Sequence, residues 1–247
     1  MVIIWIILFS LLGSMGAIII AAVFLTFRDK SQKILVPCLI SYATGTLLAA
    51  AFLGLIPHAL DHTDPLLILS TVLGGIFLFF LLEKLVIWRH CHDSKCDVHK
   101  ASGSMILIGD AFHNFIDGVV ITSSFLFSIP LGVVVGLSVI LHEVPQEVGD
   151  FGILLHSDYS KRRALVLNLL SSSATLPGAV IAYFALDIIQ DAIPYVMAIS
   201  AASFIYISLA DLLPELHQKV EFRYFIRQCL LILAGVGTIF LVLQFHP

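Results

Sequence analysis

Long apolar runs separated by short polar connections dominate this chain. Eight runs are legible, at roughly residues 3–27, 34–57, 66–88, 103–124, 130–155, 164–186, 194–214 and 224–245. Each has the ~20 or more residues that a helix needs to cross ~30 Å of hydrocarbon. Lipid offers no partner to a free backbone N–H or C=O, so every run is expected to be helical. Barrel strands are excluded, because the runs are too long and do not alternate polar with apolar positions. The expected class is an all-α membrane protein with eight transmembrane helices in a single domain, residues 1–247.

The connections differ in charge. Arg28, Lys30 and Lys33 follow the first run, and Lys84, Arg89, Lys95 and Lys100 lie around the connection between the third and fourth. Lys161, Arg162 and Arg163 precede the sixth, and Lys219, Arg223 and Arg227 lie around the start of the eighth. These are all 13 basic residues, and they occupy only alternate connections. The positive-inside rule then makes those four connections cytoplasmic and both termini extracytoplasmic. Composition agrees with burial in lipid: 59% of residues are hydrophobic and 12% charged, against about 25% charged in soluble domains. No basic region precedes the first run, so it is read as a span rather than a cleaved leader. Four cysteines are too few for a disulfide framework. Nothing in the pattern calls for nucleic acid.

Two runs carry chemistry. Asp110-Ala-Phe-His113-Asn114-Phe-Ile-Asp117-Gly118 lies in the fourth, and His142-Glu143-Val-Pro145-Gln146-Glu147-Val-Gly149-Asp150 in the fifth. Ionisable side chains at mid-membrane depth cost about 2.5–3.5 kcal/mol each on insertion scales, so a cluster of them implies function. His113 and Asp117 are four apart and share a helical face, as do His142 and Gln146, and Glu143 and Glu147. With no Lys or Arg beside them, these carboxylates are expected to take up protons or hold cations. Imidazole, carboxylate and amide without thiolate suit Zn²⁺, and also Fe²⁺, Mn²⁺, Co²⁺ or Cd²⁺, better than Cu⁺. Pro145 cannot donate to Leu141 and should kink the fifth helix. Gly118 and Gly149 should permit close approach. Small residues at helical spacing, such as Gly13 and Ala17, Gly45 and Ala49, Gly132 and Gly136, and Ala174 and Gly178, are expected at helix contacts.

Leu55-Ile56-Pro57-His58 ends the second run, and Leu212-Leu213-Pro214-Glu215 ends the seventh. These two helices should run in opposite directions. That points to an inverted repeat, helices 1–3 and 6–8, around a central pair of helices 4 and 5.

The paired motifs resemble those of the ZIP (Zrt-, Irt-like) divalent metal transporters, and the fifth-helix motif resembles their LIV-1 branch. The resemblance implies a transporter rather than an enzyme, with zinc as substrate, taken up into the cytoplasm. No catalytic cofactor is implied, and a homodimer in the lipid bilayer is compatible. Carried over by motif, the metal residues are His113, Asn114, Asp117, His142, Glu143, Gln146 and Glu147, with Asp110 and Asp150 as an exit path. Gln146 stands where the branch carries histidine, and Leu176 precedes Pro177 where some members have a carboxylate. Both departures argue against a tight binuclear centre.

Outside these motifs, His90, Cys91, His92, Cys96 and His99 fall in a connection, residues 89–100, with enough donors for a zinc site. The resemblance implies a cytoplasmic metal-capturing loop there. Asp211, Glu215 and His217, at the inner end of the seventh helix, read equally as exit groups or interfacial residues. Two other functions fit parts of the pattern. His142-Glu143 begins like the His-Glu-x-x-His of a zinc hydrolase, but the fifth position is Gln146 and Pro145 interrupts the helix. His113-x-x-x-Asp117 has the spacing of a cation-diffusion exporter, which expects six helices rather than eight.

Overall fold

The computed structural model describes residues 2–61, 63–90, 103–156, 159–218 and 222–245. Among the described residues, eight long helical segments follow one another with no strand. They are α1 (Val2–Phe24), α2 (Ser31–Leu60), α3 (Pro65–His90), α4 (Gly103–Phe127), α5 (Ile129–His156), α6 (Lys161–Leu186), α7 (Gln190–His217) and α8 (Phe222–Phe245). All except α4 contain a stretch long and apolar enough to cross a membrane. In α4, Asp110, His113, Asn114 and Asp117 dilute the apolar character over 25 residues.

The starts and breaks follow local chemistry. At α3, Asp64 Oδ1 accepts from Leu66 N at 2.8 Å and Leu67 N at 3.2 Å, with Pro65 in the first position, where its missing N–H costs nothing. At α6, Ser160 Oγ accepts from Arg163 N at 3.3 Å. Widened π-helical turns interrupt α1 at Leu12–Gly16, α2 at Ala50–Leu55 and α7 at Ile207–Leu212. In α2 and α7 the wide turn directly precedes Pro57 and Pro214, which remove a donor from the hydrogen-bond ladder. Pro145, by contrast, sits within α5, which stays helical from Ile129 to His156.

Burial sorts the helices into inner and outer positions. Of the apolar stretch, 72% is buried in α2 and 61% in α5 and α7, against 17% in α3 and 11% in α8. Leu66, Leu73 and Phe77 of α3 and Leu230, Leu233 and Phe240 of α8 lie on the outside, where lipid is their natural solvent. Inside, Leu47, Val120, Ile121, Phe125, Val134, Val135, Val139, Met197 and Phe204 belong to one continuous core.

Glycines set the closest crossings. A Cβ at Gly118 of α4 would run into the Thr175 and Ala179 backbone of α6, and one at Gly178 of α6 into the Phe115 backbone of α4. Gly45 of α2 and Gly235 of α8 pair in the same way across Ile232 and Tyr42. Gly132 and Gly136 of α5 instead receive the rings of Phe125 and Phe9. The expectation for Gly149 is corrected: nothing lies within 4 Å of where its Cβ would stand, because it faces a cavity rather than a helix.

Candidate metal centre

One face of α4 meets one face of α5 through four donors. His113 and Asp117 stack a turn apart on α4, and His142 and Glu143 are consecutive on α5. The two Nε2 atoms are 3.1 Å apart. His113 Nε2 lies 3.3 Å from Glu143 Oε1 and 3.7 Å from Asp117 Oδ2. His142 Nε2 lies 3.2 Å from Asp117 Oδ2 and 3.5 Å from Glu143 Oε1. Bonds of about 2.0–2.1 Å to a tetrahedral ion would hold neighbouring donors about 3.3–3.4 Å apart. All five separations bracket that edge length.

Hydrogen bonding orients His142 within the cluster. His142 Nδ1 stands 3.0 Å from Ser138 O. A carbonyl only accepts, so that nitrogen carries the proton, and Nε2 of a neutral ring would present its lone pair to a cation. The Phe204 ring packs edge-on against the imidazole at 6.0 Å. All four carboxylate oxygens of Asp117 and Glu143 are buried without a hydrogen-bond partner. Buried polar atoms are rarely left so, and two carboxylates would balance one divalent charge.

A second group adjoins the first. Asp110, Glu143 and Glu147 can each offer an oxygen within 4.8 Å of the others. Asn114 is directed elsewhere: its Oδ1 accepts from Thr175 Oγ1 at 2.9 Å and Ser172 Oγ at 3.3 Å. Its Nδ2 donates to Asp110 Oδ1 at 3.0 Å. Gln146 Nε2 reaches the same Asp110 oxygen at 3.4 Å. Neither amide is in the four-donor cluster.

A cavity of about 460 Å³ reaches His113, Asp110, Gln146 and Asp150 and continues past Glu83, Tyr206, Asp211 and Glu215. It runs toward the ends of α3 and α7 that border basic connections. In the other direction along α4 and α5, Val120, Ile121, Val135 and Val139 are fully buried, so packed side chains close that side. Asp211 and Glu215 thus fall on the cavity wall, while His217 is not among its lining residues.

The motif residues were visible in sequence, but some neighbours were not. Ser172 and Thr175 of α6 carry no signal, since hydroxyls are ordinary in membrane helices. Glu83 had one, a lone carboxylate near the end of an apolar run, and its Oε2 accepts a hydrogen bond from the Tyr206 hydroxyl. The loop cluster Cys91, His92, Cys96 and His99 lies outside the described residues, as does the His90 side chain.

Residues 88–243 match the sequence family described as ZIP zinc transporter. The chain is 29% identical to Zinc transporter zipt-7.2 of Caenorhabditis elegans, over 84% of this chain and 58% of that protein. It is 31% identical to Zinc transporter ZIP13 of Pongo abelii, over 80% and 64%. It is 38% identical to human Zinc transporter ZIP4, over 45% and 17%. The chain therefore spans less than two thirds of each of these relatives. With more than half of its length inside the family match, and seven helices among the described residues fit to cross a bilayer, the chain is an integral multi-pass membrane protein of the ZIP zinc transporter family, LIV-1 branch.

Proposed function

We propose that this protein carries zinc across a membrane into the cytoplasm through the site between α4 and α5. The observation behind this reading is the buried four-donor cluster of His113, Asp117, His142 and Glu143 at the head of a cavity. An ion there would leave by way of Asp110 and Asp150. Asn114 would hold α4 against α6, Gln146 lines the cavity, and Glu147 lies buried beside Asp110 and Glu143. The alternation of basic connections supports a cytoplasmic cavity mouth, both termini outside, and α4 as an eighth span. The wide turn and proline shared by α2 and α7 support an inverted repeat of α1–α3 and α6–α8 within one domain. Two antiparallel ligand-bearing helices set among six others allow alternating access. A divalent ion moving inward gains about 4.6 kcal/mol per 100 mV of inside-negative potential, at ~2.3 per charge, so ATP is not required.

The relatives' names favour transport over hydrolysis, and so does the site. Glu143, which a hydrolase would keep off the metal as base, stands among the donors. Fe²⁺, Mn²⁺, Co²⁺ and Cd²⁺ suit the same donor types and are expected competitors. A homodimer in the bilayer is compatible with the wide apolar exterior.

The test is metal uptake into liposomes holding the purified protein, with zinc, cadmium, manganese and iron in competition. Saturable zinc uptake that His142→Ala abolishes is the expected result. Uptake surviving that change would move the site elsewhere, and absence of uptake would sink the proposal.

A further inference from the structure

We propose that the basic end of α8 holds the phosphate of an anionic phospholipid between Arg223 and Arg227, with Tyr224 as their common platform. The site lies apart from the metal centre and does not depend on the transport reading.

The two arginines are four apart and share a helical face. Both guanidinium carbons stand over the Tyr224 ring, at 4.8 Å from its centroid for Arg223 and 5.1 Å for Arg227. Arg223 Nη2 also donates to the Tyr224 hydroxyl at 3.2 Å. The two cations therefore lie within one Debye length of each other, ~10 Å, and repel. The ring attracts each of them through its quadrupole but has no net charge to balance them. Arg227 bears a further cost: its Nη2 is buried without a hydrogen-bond partner among the described residues. A guanidinium desolvated in this way calls for an anion. Phosphate fits the planar fork, whose parallel N–H groups meet two oxygens at once.

The surface beyond the arginines selects a lipid over a free ion. Further along the same face of α8, Leu230, Ala234 and Leu241 are exposed. Phe222 and Phe225 flank the arginines and are exposed as well. Among the apolar stretches, that of α8 is the least buried. One face thus reads charged at its start and apolar along its length, which is the order of a phospholipid from headgroup to acyl chain. Free phosphate would use only the first part. Basic residues clustered beside a span are also where anionic headgroups concentrate. The site is held in place from behind, since Gln228 Nε2 donates to Leu216 O of α7 at 3.0 Å. A preorganised site loses less on binding. The start of α6 supplies a comparison: there Arg163 stands over Tyr159 at 4.8 Å, one guanidinium on one ring.

The test is lipid binding to the full chain purified in detergent, read by native mass spectrometry during titration with phosphatidate or with phosphatidylcholine of the same acyl chains. Phosphatidate should bind at least about tenfold more tightly. Arg227→Gln and Arg223→Gln should each weaken it by about tenfold, the effect of losing one charge-assisted contact. Arg227→Lys should weaken it similarly, because a point charge replaces the fork. Arg163→Gln should leave it unchanged, and melting curves establish that each variant is folded. Three results would overturn the proposal. Equal affinity for the two lipids would mean that the phosphate charge is not read. Full binding by Arg227→Lys, or an equal loss in Arg163→Gln, would reduce the effect to diffuse surface attraction. Displacement of phosphatidate by inorganic phosphate at matched concentration would assign the arginines to a free anion.

Discussion

Gly118→Ala tests whether the metal site depends on the close crossing of α4 and α6. Gly118 directly follows Asp117, a proposed ligand. An added Cβ would stand 2.6 Å from Ala179 N and 3.0 Å from the Thr175 carbonyl carbon, and closer still to Thr175 O, where ordinary contact begins at 3.4 Å. The obstacles are backbone atoms, which no rotamer change can clear. The helices must separate by about 0.8 Å or more to restore contact distance. Overpacking of this kind costs about 1–3 kcal/mol, and the upper half of that range is expected here. The ligand set suffers as well. Donor distances in metal sites tolerate about ±0.2 Å, so a displacement several times larger at Asp117 should weaken zinc binding and slow uptake markedly. Gly237, with nothing within 4 Å of its Cβ position, supplies the control. Melting temperature and liposome uptake should fall for Gly118→Ala and stay near wild type for Gly237→Ala. Wild-type melting and uptake in Gly118→Ala would refute the argument that this crossing positions the site.

Three further outcomes are expected. Zinc at about 100 times its Kd should stabilise the folded protein by about 2.7 kcal/mol, seen as a raised melting temperature that His142→Ala removes; an equal rise in that variant would place the dominant binding site elsewhere. Thr175→Val deletes the 2.9 Å hydrogen bond to Asn114 Oδ1 and should cost about 1–3 kcal/mol through the buried oxygen left short of a donor, so unaltered chemical denaturation would show that Ser172 compensates. Gln146→His adds an imidazole to the cavity wall and should lower the zinc concentration for half-maximal uptake; an unchanged value would mean that position 146 does not reach the ion.

The sequence by itself determined the long helices, the alternation of basic connections and the location of the donors. These are local properties: hydropathy fixes which runs can enter lipid, and 3.6-residue periodicity fixes that His113 and Asp117 share a face. Roles within the motifs were decided by tertiary structure. Asn114 and Gln146 sit in the same two motifs as the four clustered donors, yet Asn114 turns toward Thr175 and Ser172, and both amides hold Asp110. Gly118 and Gly149 look alike in sequence, but one faces the α6 backbone and the other open space. Periodicity gives the face a residue occupies on its own helix. It does not give the rotation and separation of neighbouring helices, which backbone contacts at Gly118 and Gly178 set. The orientation of His142 is likewise a product of packing, since Ser138 O anchors one ring nitrogen and Phe204 flanks the ring. Spacing along the chain placed the donors, and the helix crossings brought their atoms within reach of one ion.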